Sequence, residues 1–209
     1  MLRYSIVALL VLLESVGGFL LSENRHVVAS IKVENGGTFG VWHQVEYCPS
    51  STYAVGYAIK VEQRLGSGDD TALNGITLIC RTRNGTVSGG SVASGIGRFG
   101  SWYDPMYCSQ GQVMMQFDLK VEQPLGSDGD DTSANDVMFR CDSFETRTGA
   151  ASDLHAEGGT GWGDWSPAWS KACPEHSAIC GIQTNVEPFL GSDGDDTSLN
   201  DVKFSCCDD

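Results

Sequence analysis

Apolar and polar residues alternate along two long stretches of this 209-residue chain. In the first stretch the apolar set is Tyr53, Val55, Tyr57, Ile59 and Val61, and in the second it is Val113, Met115, Phe117, Leu119 and Val121. A period of two residues is typical of a strand with one buried face. Shorter alternations follow at Ile76 and Leu78, Val137 and Phe139, and Val202 and Phe204. No segment shows a 3.6-residue stripe, so we predict an all-β protein.

One unit occurs three times along the chain. The segment 61–71 (VEQRLGSGDDT) returns as 121–132 (VEQPLGSDGDDT) and as 186–197 (VEPFLGSDGDDT). Upstream of each lies an aromatic-Gly-x-Trp signature, at 39–42, 99–102 and 162–165, and downstream each has an Asn and then a short apolar strand that ends at Cys. The sequence therefore consists of three internal repeats, at about 27–81, 97–141 and 161–207.

A single repeat has one apolar sheet face and nothing to cover it, whereas three repeats around an axis can cover one another. We therefore predict three antiparallel sheets around a pseudo-threefold axis, with apolar faces inward, in a single domain over 18–209. The segments 82–96 and 142–160 are interpreted as connections that carry little chemistry. The same alternation places Phe117 in the core and Asp118 on the surface, so only Phe117 is expected to matter for stability.

The first residues have the pattern of a secretory signal. Arg3 supplies a basic start, residues 5–13 (SIVALLVLL) are apolar, and small residues follow at 15–18. Glu14 interrupts the apolar run well before the length of about 20 residues that a membrane span needs. We therefore predict a signal peptide over 1–17, a protein secreted to the extracellular space, and no membrane association.

The net charge and the number of cysteines limit the functions that this chain can have. Thirteen Lys and Arg stand against 27 Asp and Glu, a formal net charge of −14 that would repel nucleic-acid phosphates. Eight cysteines in a secreted chain predict disulfides, because the extracellular environment is oxidising. Asn84-Gly85-Thr86 is an acceptor sequence for N-glycosylation, so Asn84 is a candidate modification site.

The aromatic-Gly-x-Trp signature, the Leu-Gly-x-x-Asp-Asp-Thr-x-x-Asn loop and the tail between Cys180 and Cys207 together resemble the vitelline membrane outer layer protein I family. The resemblance covers about residues 27–207. It implies a β-prism of three Greek-key sheets, secretion and four disulfides. The avian member is a structural component of the outer vitelline layer of the egg and is credited with a transferase-like action on N-acetylglucosamine oligomers. That member is basic, so partners selected by charge do not carry over to this acidic chain.

Tryptophans are the candidate ligand-binding residues. An indole ring can stack on the apolar face of a pyranose, and its N–H can donate to a hydroxyl. Trp42, Trp102 and Trp165 recur at equivalent positions, so we expect them to fill the core or close the ends of the prism, with sugar stacking as the alternative. Trp169 lies outside the repeated pattern and is the stronger candidate for a ligand contact.

Three repeated glutamates, Glu62, Glu122 and Glu187, are weak candidates for catalysis. Glycoside chemistry needs two carboxylates about 5 to 9.5 Å apart, one of them with a raised pKa. Each of these glutamates alternates with an inward valine and therefore points outward, so we expect it to accept backbone N–H bonds from the following loop. Because no Ser-His-Asp order is recognisable either, the sequence assigns no catalytic residue.

The acidic loops 127–132 and 192–197 resemble calcium-binding loops, but the spacing of their ligands departs from the EF-hand pattern. The glycines are misplaced, the final Glu is missing, and the flanking helices are absent. We interpret these loops as turns in which Asp and Asn side chains bond to their own backbone. The sequence therefore predicts neither a metal nor a cofactor.

The hypothesis that follows is a secreted structural component of an extracellular coat or secretion that interacts with carbohydrate. Its expected partners are extracellular glycans or glycoproteins and other coat proteins. The alternative is an enzyme of the transferase or hydrolase type that acts on N-acetylglucosamine oligosaccharides. Saturable retention on chitin without turnover would favour the first, and a bell-shaped pH dependence that requires carboxylates would favour the second.

The spacing of the cysteines predicts one disulfide in each repeat. Cys48–Cys80, Cys108–Cys141 and Cys173–Cys206 span 32, 33 and 33 residues, which leaves Cys180 to pair with Cys207. The rival pairing in the last repeat is Cys180 with Cys206 and Cys173 with Cys207. Peptide mapping of the unreduced protein distinguishes the two, and a Cys48–Cys108 bridge or any other bridge between repeats would contradict both.

Overall fold

The computed structural model describes residues 25–66, 70–126, 131–147, 151–191 and 196–209. Within these ranges the chain forms β-strands, turns and loops and no α-helix. No described helix is long and apolar enough to cross a membrane. The predicted signal peptide, residues 1–17, lies outside the described residues.

Fourteen strands are found in the described ranges. In chain order they are β1 (Val27–Ile31), β2 (Val41–Trp42), β3 (Glu46–Tyr47), β4 (Thr52–Val61), β5 (Leu73–Thr82), β6 (Ser88–Val92), β7 (Ser101–Trp102), β8 (Met106–Tyr107), β9 (Gln112–Val121), β10 (Ala134–Ser143), β11 (Ser152–His155), β12 (Asp164–Trp165), β13 (Ala178–Val186) and β14 (Leu199–Cys207). The two long strands of each repeat, β4–β5, β9–β10 and β13–β14, carry the alternating patterns seen in the sequence.

The strands form three antiparallel sheets, which we number by the repeat that supplies the long strands. Sheet 1 has the order β6-β5-β4-β7, with β8 also paired to β4, and sheet 2 has the order β11-β10-β9-β12. Sheet 3 has the order β1-β14-β13-β2, with β3 also paired to β13. In each sheet the fourth strand returns beside the first, which is Greek-key order. The predicted all-β fold of three Greek-key sheets is confirmed.

Each sheet is completed by short strands from the next repeat along the chain. The signature of the second repeat forms β7 on sheet 1, that of the third forms β12 on sheet 2, and that of the first forms β2 on sheet 3. In sheet 3 the Greek key is interrupted by the chain ends, because β1 pairs with β14 and brings Val27 opposite Cys207. The segments 82–96 and 142–160 are more than connections, since they contain the edge strands β6 and β11.

An aromatic cluster at the centre joins the three sheets. Tyr57 comes from sheet 1, Phe117 and Phe139 come from sheet 2, and Phe204 comes from sheet 3, and all four side chains are fully buried. Ring centroids lie 4.6 Å apart for Tyr57 and Phe139 and 4.7 Å apart for Phe117 and Phe204. The Tyr57 hydroxyl donates to the Val137 carbonyl at 2.9 Å. Burial raises the pKa of Tyr57, so this buried hydroxyl stays protonated.

The four disulfides are Cys48–Cys80, Cys108–Cys141, Cys173–Cys206 and Cys180–Cys207. The first three each lie within one repeat of the sequence but bridge two sheets in space. Cys48 follows β3 and donates its N–H to Cys180 of sheet 3, whereas Cys80 lies on β5 of sheet 1. Each such bridge closes a loop of about 30 residues, which stabilises a fold by roughly 3–4 kcal/mol. Three boundaries between sheets are therefore covalently closed.

Outward carboxylates on the long strands are covered rather than exposed. Asp118 is only 4% exposed, because the chain after β12 crosses over it and the Ser166 N–H donates to its carboxylate at 3.1 Å. The expectation that Asp118 lies on the surface is therefore wrong. The chain also passes close over Asp201, where a Cβ at Gly36 would lie 2.2 Å from the carboxyl carbon.

We expect Phe117→Ala to lower the free energy of unfolding by about 3–5 kcal/mol, because it removes a ring from the central cluster. Asp118→Ala is expected to cost about 1 kcal/mol, since it removes a buried hydrogen bond to Ser166. Urea denaturation measures both, with Phe189→Ala as a control because Phe189 is 45% exposed. Equal effects of Phe117→Ala and Phe189→Ala would contradict the assignment of the inward face.

Burial raises the pKa of Asp201 from 3.8 to about 6, so its ionised form is disfavoured in the folded state. Near pH 4 the group is largely protonated in the folded protein, whereas above pH 6 the folded state contains a poorly solvated charge. Stability is therefore lost as the pH rises from about 4 to 6. Asp201→Asn should raise the free energy of unfolding by about 1–3 kcal/mol at pH 7.5 and change it little at pH 4.

Thermal or urea denaturation at the two pH values checks this expectation. Asp104→Asn is the matched control, because Asp104 is exposed on the connection between β7 and β8. A stabilisation by Asp201→Asn that is equal at pH 4 and pH 7.5 would show that ionisation of Asp201 is not its cause.

Candidate functional site

The outer face of each sheet carries a pair of aromatic side chains. The pairs are Trp102 and Tyr107 on sheet 1, Trp165 and Trp169 on sheet 2, and Trp42 and Tyr47 on sheet 3. Trp102 and Tyr107 are both 44% exposed, and Trp42 is 38% exposed. Of the two roles expected for the repeated tryptophans, filling the core does not apply to Trp42 and Trp102, and Trp165 is only partly buried.

Strand register explains why the repeated tryptophans point outward. Directly opposed residues of an antiparallel pair project from the same face of a sheet. Trp102 lies opposite Lys60, Trp165 opposite Lys120 and Trp42 opposite Asn185. Each of these partners lies between two buried residues of its strand, so it lies on the outward face and places its tryptophan there too. The signature contains no information about which residue it will pair with, so sequence analysis could not find this orientation.

On sheets 1 and 3, a glycine on the central strand makes room for the tyrosine of the pair. Tyr107 lies opposite Gly56 on sheet 1, and a Cβ at Gly56 would meet the ring at 2.9 Å. Tyr47 lies opposite Gly181 on sheet 3, where a Cβ would meet the ring at 2.6 Å. The two tyrosines are thus held flat against the sheet with their other sides toward solvent. The sequence signal for this arrangement was the Tyr-Cys pair at 47–48 and 107–108, which the pattern analysis did not use.

Donor groups lie beside the aromatic rings. The Lys203 ammonium is 3.8 Å from the centroid of Trp42, and the Arg140 guanidinium is 3.8 Å from that of Trp169. Arg81 is 5.2 Å from the ring of Tyr107 on sheet 1. These contacts combine an apolar ring surface with hydrogen-bond donors, which is the combination that a hydroxylated ring-shaped ligand needs.

Sheet 2 has a polar pair beside its aromatic residues. His155 Nε2 lies 2.8 Å from a carboxylate oxygen of Asp136, and the His155 ring packs edge-on against Trp165 with centroids 5.6 Å apart. Burial raises the pKa of Asp136, and the hydrogen bond from His155 acts in the opposite direction. The sequence analysis passed over both residues, because neither the histidine nor this contact recurs in all three repeats.

The repeated glutamates take part in hydrogen bonds that hold the loop between the two long strands of each repeat. Glu62, Glu122 and Glu187 each accept from the hydroxyl of a threonine in the same repeat at 2.7 Å. That threonine in turn accepts from a fully buried asparagine, Asn74, Asn135 or Asn200. Backbone N–H groups of the loop also donate to Glu62 and Glu187. This geometry suits a structural role for the three carboxylates, which hold the second long strand to the first.

No group of three or more His, Cys, Asp or Glu side chains that could hold a metal ion is found among the described residues. The two loops that resemble calcium sites lie mostly outside the described ranges, since these omit residues 127–130 and 192–195. Asn84 is exposed at the turn between β5 and β6, where its side-chain oxygen accepts from the Thr86 hydroxyl at 2.7 Å.

Two surface cavities lie against these aromatic residues. One, with a volume of about 420 Å³, is bordered by Trp165 of sheet 2 and by Glu122 and Leu125, which follow β9. The other, of about 310 Å³, is bordered by Tyr107, Arg81 and the turn between β8 and β9 on sheet 1. Both volumes lie in the lower part of the range for small-molecule sites, about 300–1,000 Å³.

Solved structures of low sequence identity share the fold. The chain is similar to a mannose-specific jacalin-related lectin from Morus nigra in complex with mannose, with a TM-score of 0.51 and 12% identity over 89% of this chain and 97% of the lectin. It is also similar to the Calsepa lectin in complex with a biantennary N-glycan, with a TM-score of 0.50 and 12% identity over 84% of this chain and 94% of the lectin. At this identity the likeness establishes the β-prism fold alone.

Closer relatives are found among curated proteins. The vitelline membrane outer layer protein 1 homolog of Homo sapiens is 41% identical over 180 residues, 86% of this chain and 83% of the relative. The homolog of Mus musculus is 40% identical over 179 residues, 85% of this chain and 82% of the relative. The family model "Vitelline membrane outer layer protein I (VOMI)" matches residues 29–209. The chain therefore belongs to the vitelline membrane outer layer protein I family.

Proposed function

We propose that the protein is a secreted structural component of an extracellular coat or secretion and that it binds carbohydrate through the aromatic side chains on its outer faces. The observation that carries the proposal is the presence of an outward aromatic pair on every sheet. Membership of a family named after the outer layer of the vitelline membrane supports the location. Solved β-prism proteins in complex with mannose and with an N-glycan support the ligand class.

Contiguous patches of exposed apolar side chains often mark interaction or ligand-binding sites. Three faces around one axis give a glycan polymer several weak contacts at fixed spacing, and such contacts multiply into useful avidity. The ligand is therefore an extended glycan or the glycan of a glycoprotein, and a short sugar binds weakly to any one face.

A structural role requires a fold that survives outside the cell. Disulfides persist in oxidising extracellular environments, and all eight cysteines are paired here. Three of the bridges join neighbouring sheets, so the prism resists opening between sheets. The candidate signal peptide at 1–17 and the exposed acceptor Asn84 fit the same secretory route, and coat proteins are the proposed neighbours of the assembled protein.

Retention of the mature protein on immobilised N-acetylglucosamine polymer tests the proposal. Trp102→Ala and Trp169→Ala should each weaken retention several-fold, because each removes one stacking surface that contributes about 0.5–1.5 kcal/mol. Phe189→Ala is the matched control, since Phe189 is 45% exposed and Trp102 is 44% exposed, but Phe189 lies on the loop between β13 and β14 and is not part of an aromatic pair on a sheet. A chelator should leave retention unchanged.

Two outcomes would contradict this proposal. Retention that is equally weak for the parent and for all three variants, on a full glycan array as well as on the polymer, would remove the carbohydrate-binding part. Steady product formation from N-acetylglucosamine oligomers that is lost in Glu122→Gln, with the melting temperature unchanged, would make the protein an enzyme instead of a binder.

A further inference from the structure

Three equivalent turns connect one sheet to the next at the same end of the prism. They join β3 to β4, β8 to β9 and β12 to β13, and each begins at a cysteine of a bridge between sheets. The same backbone hydrogen bond closes each turn, from Thr52 to Pro49 at 3.0 Å, from Gln112 to Ser109 at 3.0 Å and from Ser177 to Pro174 at 3.1 Å. The three turns therefore offer matching sets of carbonyl oxygens.

An arginine fills the first and the third of these turns. The guanidinium of Arg25 donates to the carbonyls of Cys48, Pro49 and Thr52 at 2.7, 3.0 and 2.9 Å, and its side chain is 2% exposed. The guanidinium of Arg147 donates in the same way to the carbonyls of Pro174 and Ser177 at 2.9 and 2.5 Å. Arg25 precedes β1, the edge strand of sheet 3, and its turn leads out of sheet 3. In the same way Arg147 precedes β11, the edge strand of sheet 2, and its turn leads out of sheet 2.

No arginine of the chain occupies the second turn in the described structure, which leaves the cavity of about 310 Å³ there. The edge strand of sheet 1 is β6, and the segment before it is Asn84-Gly85-Thr86, so Gly85 stands near the place where the other two sheets present arginine. The turn residues Cys108, Ser109 and Gln112 line the cavity. Their carbonyl oxygens are the counterparts of the three that Arg25 binds.

Charge distinguishes this cavity from the two filled turns. A carboxylate accompanies each resident arginine, Asp209 at 3.0 Å from Arg25 and Asp142 near Arg147. Asp142 lies opposite Val113, the second residue of β9. The equivalent position on sheet 1 lies opposite Tyr53, the second residue of β4, and is occupied by Arg81. An incoming cation would therefore meet a positive charge where the resident arginines meet a negative one. A neutral ligand that donates to carbonyls and accepts from a guanidinium has no such penalty.

We propose that the cavity at the β8–β9 turn binds one hydroxyl-rich saccharide unit, with its ring against Tyr107 and its hydroxyls between the turn carbonyls and Arg81. Sugar hydroxyls both donate and accept, so they match a wall that holds acceptors on one side and a guanidinium on the other. The ring of Tyr107 is 44% exposed and supplies the stacking surface. This inference rests on the proposed carbohydrate-binding function and assigns it an asymmetric site on sheet 1.

Saturation-transfer NMR and calorimetry with the methyl glycosides of N-acetylglucosamine, mannose and galactose test the site. All proteins carry Asn84→Gln, so that no glycan attached beside the cavity competes for it. Tyr107→Ala should weaken binding of the recognised glycoside at least tenfold. Phe189→Ala is the control, because Phe189 is 45% exposed, much as Tyr107 is, but lies on the loop between β13 and β14 and does not border the cavity, so it should leave binding unchanged.

Arg81→Asp provides a second variant that reverses the chemistry. It restores the carboxylate that the filled turns possess, so it should abolish binding of the glycoside and create binding of N-acetyl-arginine amide. Thermal denaturation establishes that each variant is folded. Preference of the parent protein for the arginine probe over every glycoside would overturn the assignment and make the cavity a docking site for arginine of a partner protein.

The outcomes separate this inference from the proposed function. Retention on glycan polymer that depends on Trp102 or Trp169 but not on Tyr107 would leave the proposed function standing and overturn the site. Glycoside binding that is equal in the parent, Tyr107→Ala and Phe189→Ala would do the same. Absence of binding to any glycoside, together with absence of retention on any glycan, would overturn both.

Discussion

The structure depends on one constraint, which is that the two long strands of a repeat have an apolar face that the repeat cannot cover by itself. Three such faces meet around the axis, where Tyr57, Phe117, Phe139 and Phe204 form a single buried aromatic cluster. The repeats also depend on one another through their short strands, because the aromatic-Gly-x-Trp signature of the next repeat completes each sheet. No repeat is therefore a folding unit, and the chain closes only when β1 pairs with β14.

The same sharing of short strands between repeats creates the outer surface on which function is proposed. The short strands pair at the edge of each sheet, and the segments around them cross the outward side of the long strands, where they bury carboxylates such as Asp118 and Asp136. They also place a tryptophan and a second aromatic residue on each face, because register puts the tryptophans opposite outward residues. Burial of acidic groups and exposure of aromatic groups thus have one geometric cause.

Structural features that recur in all three repeats have a different role in this molecule from features that do not recur. Features that occur three times, such as the Glu-Thr-Asn hydrogen bonds and the bridges between sheets, stabilise the fold, since a packing requirement recurs with every repeat. Features that occur once or twice are where the faces differ chemically. His155 on sheet 2 and the turn beside Gly85 on sheet 1 are of this kind. The net charge of −14 disfavours anionic partners in general.

The sequence by itself determined the long strands, the three sheets, the inward stripe of Phe117 and the repeat that each cysteine bridge spans, because alternation and repetition can be seen along the chain without knowledge of its contacts. It also indicated the structural role of Glu62, since a polar residue at a strand end is within reach of its own loop. Only the tertiary structure decided which repeat completes which sheet, and therefore that Trp42 and Trp102 point outward and that Asp118 is covered. It alone revealed that two of three equivalent turns hold an arginine. These facts depend on contacts between residues far apart in the chain, and a local pattern contains no information about them.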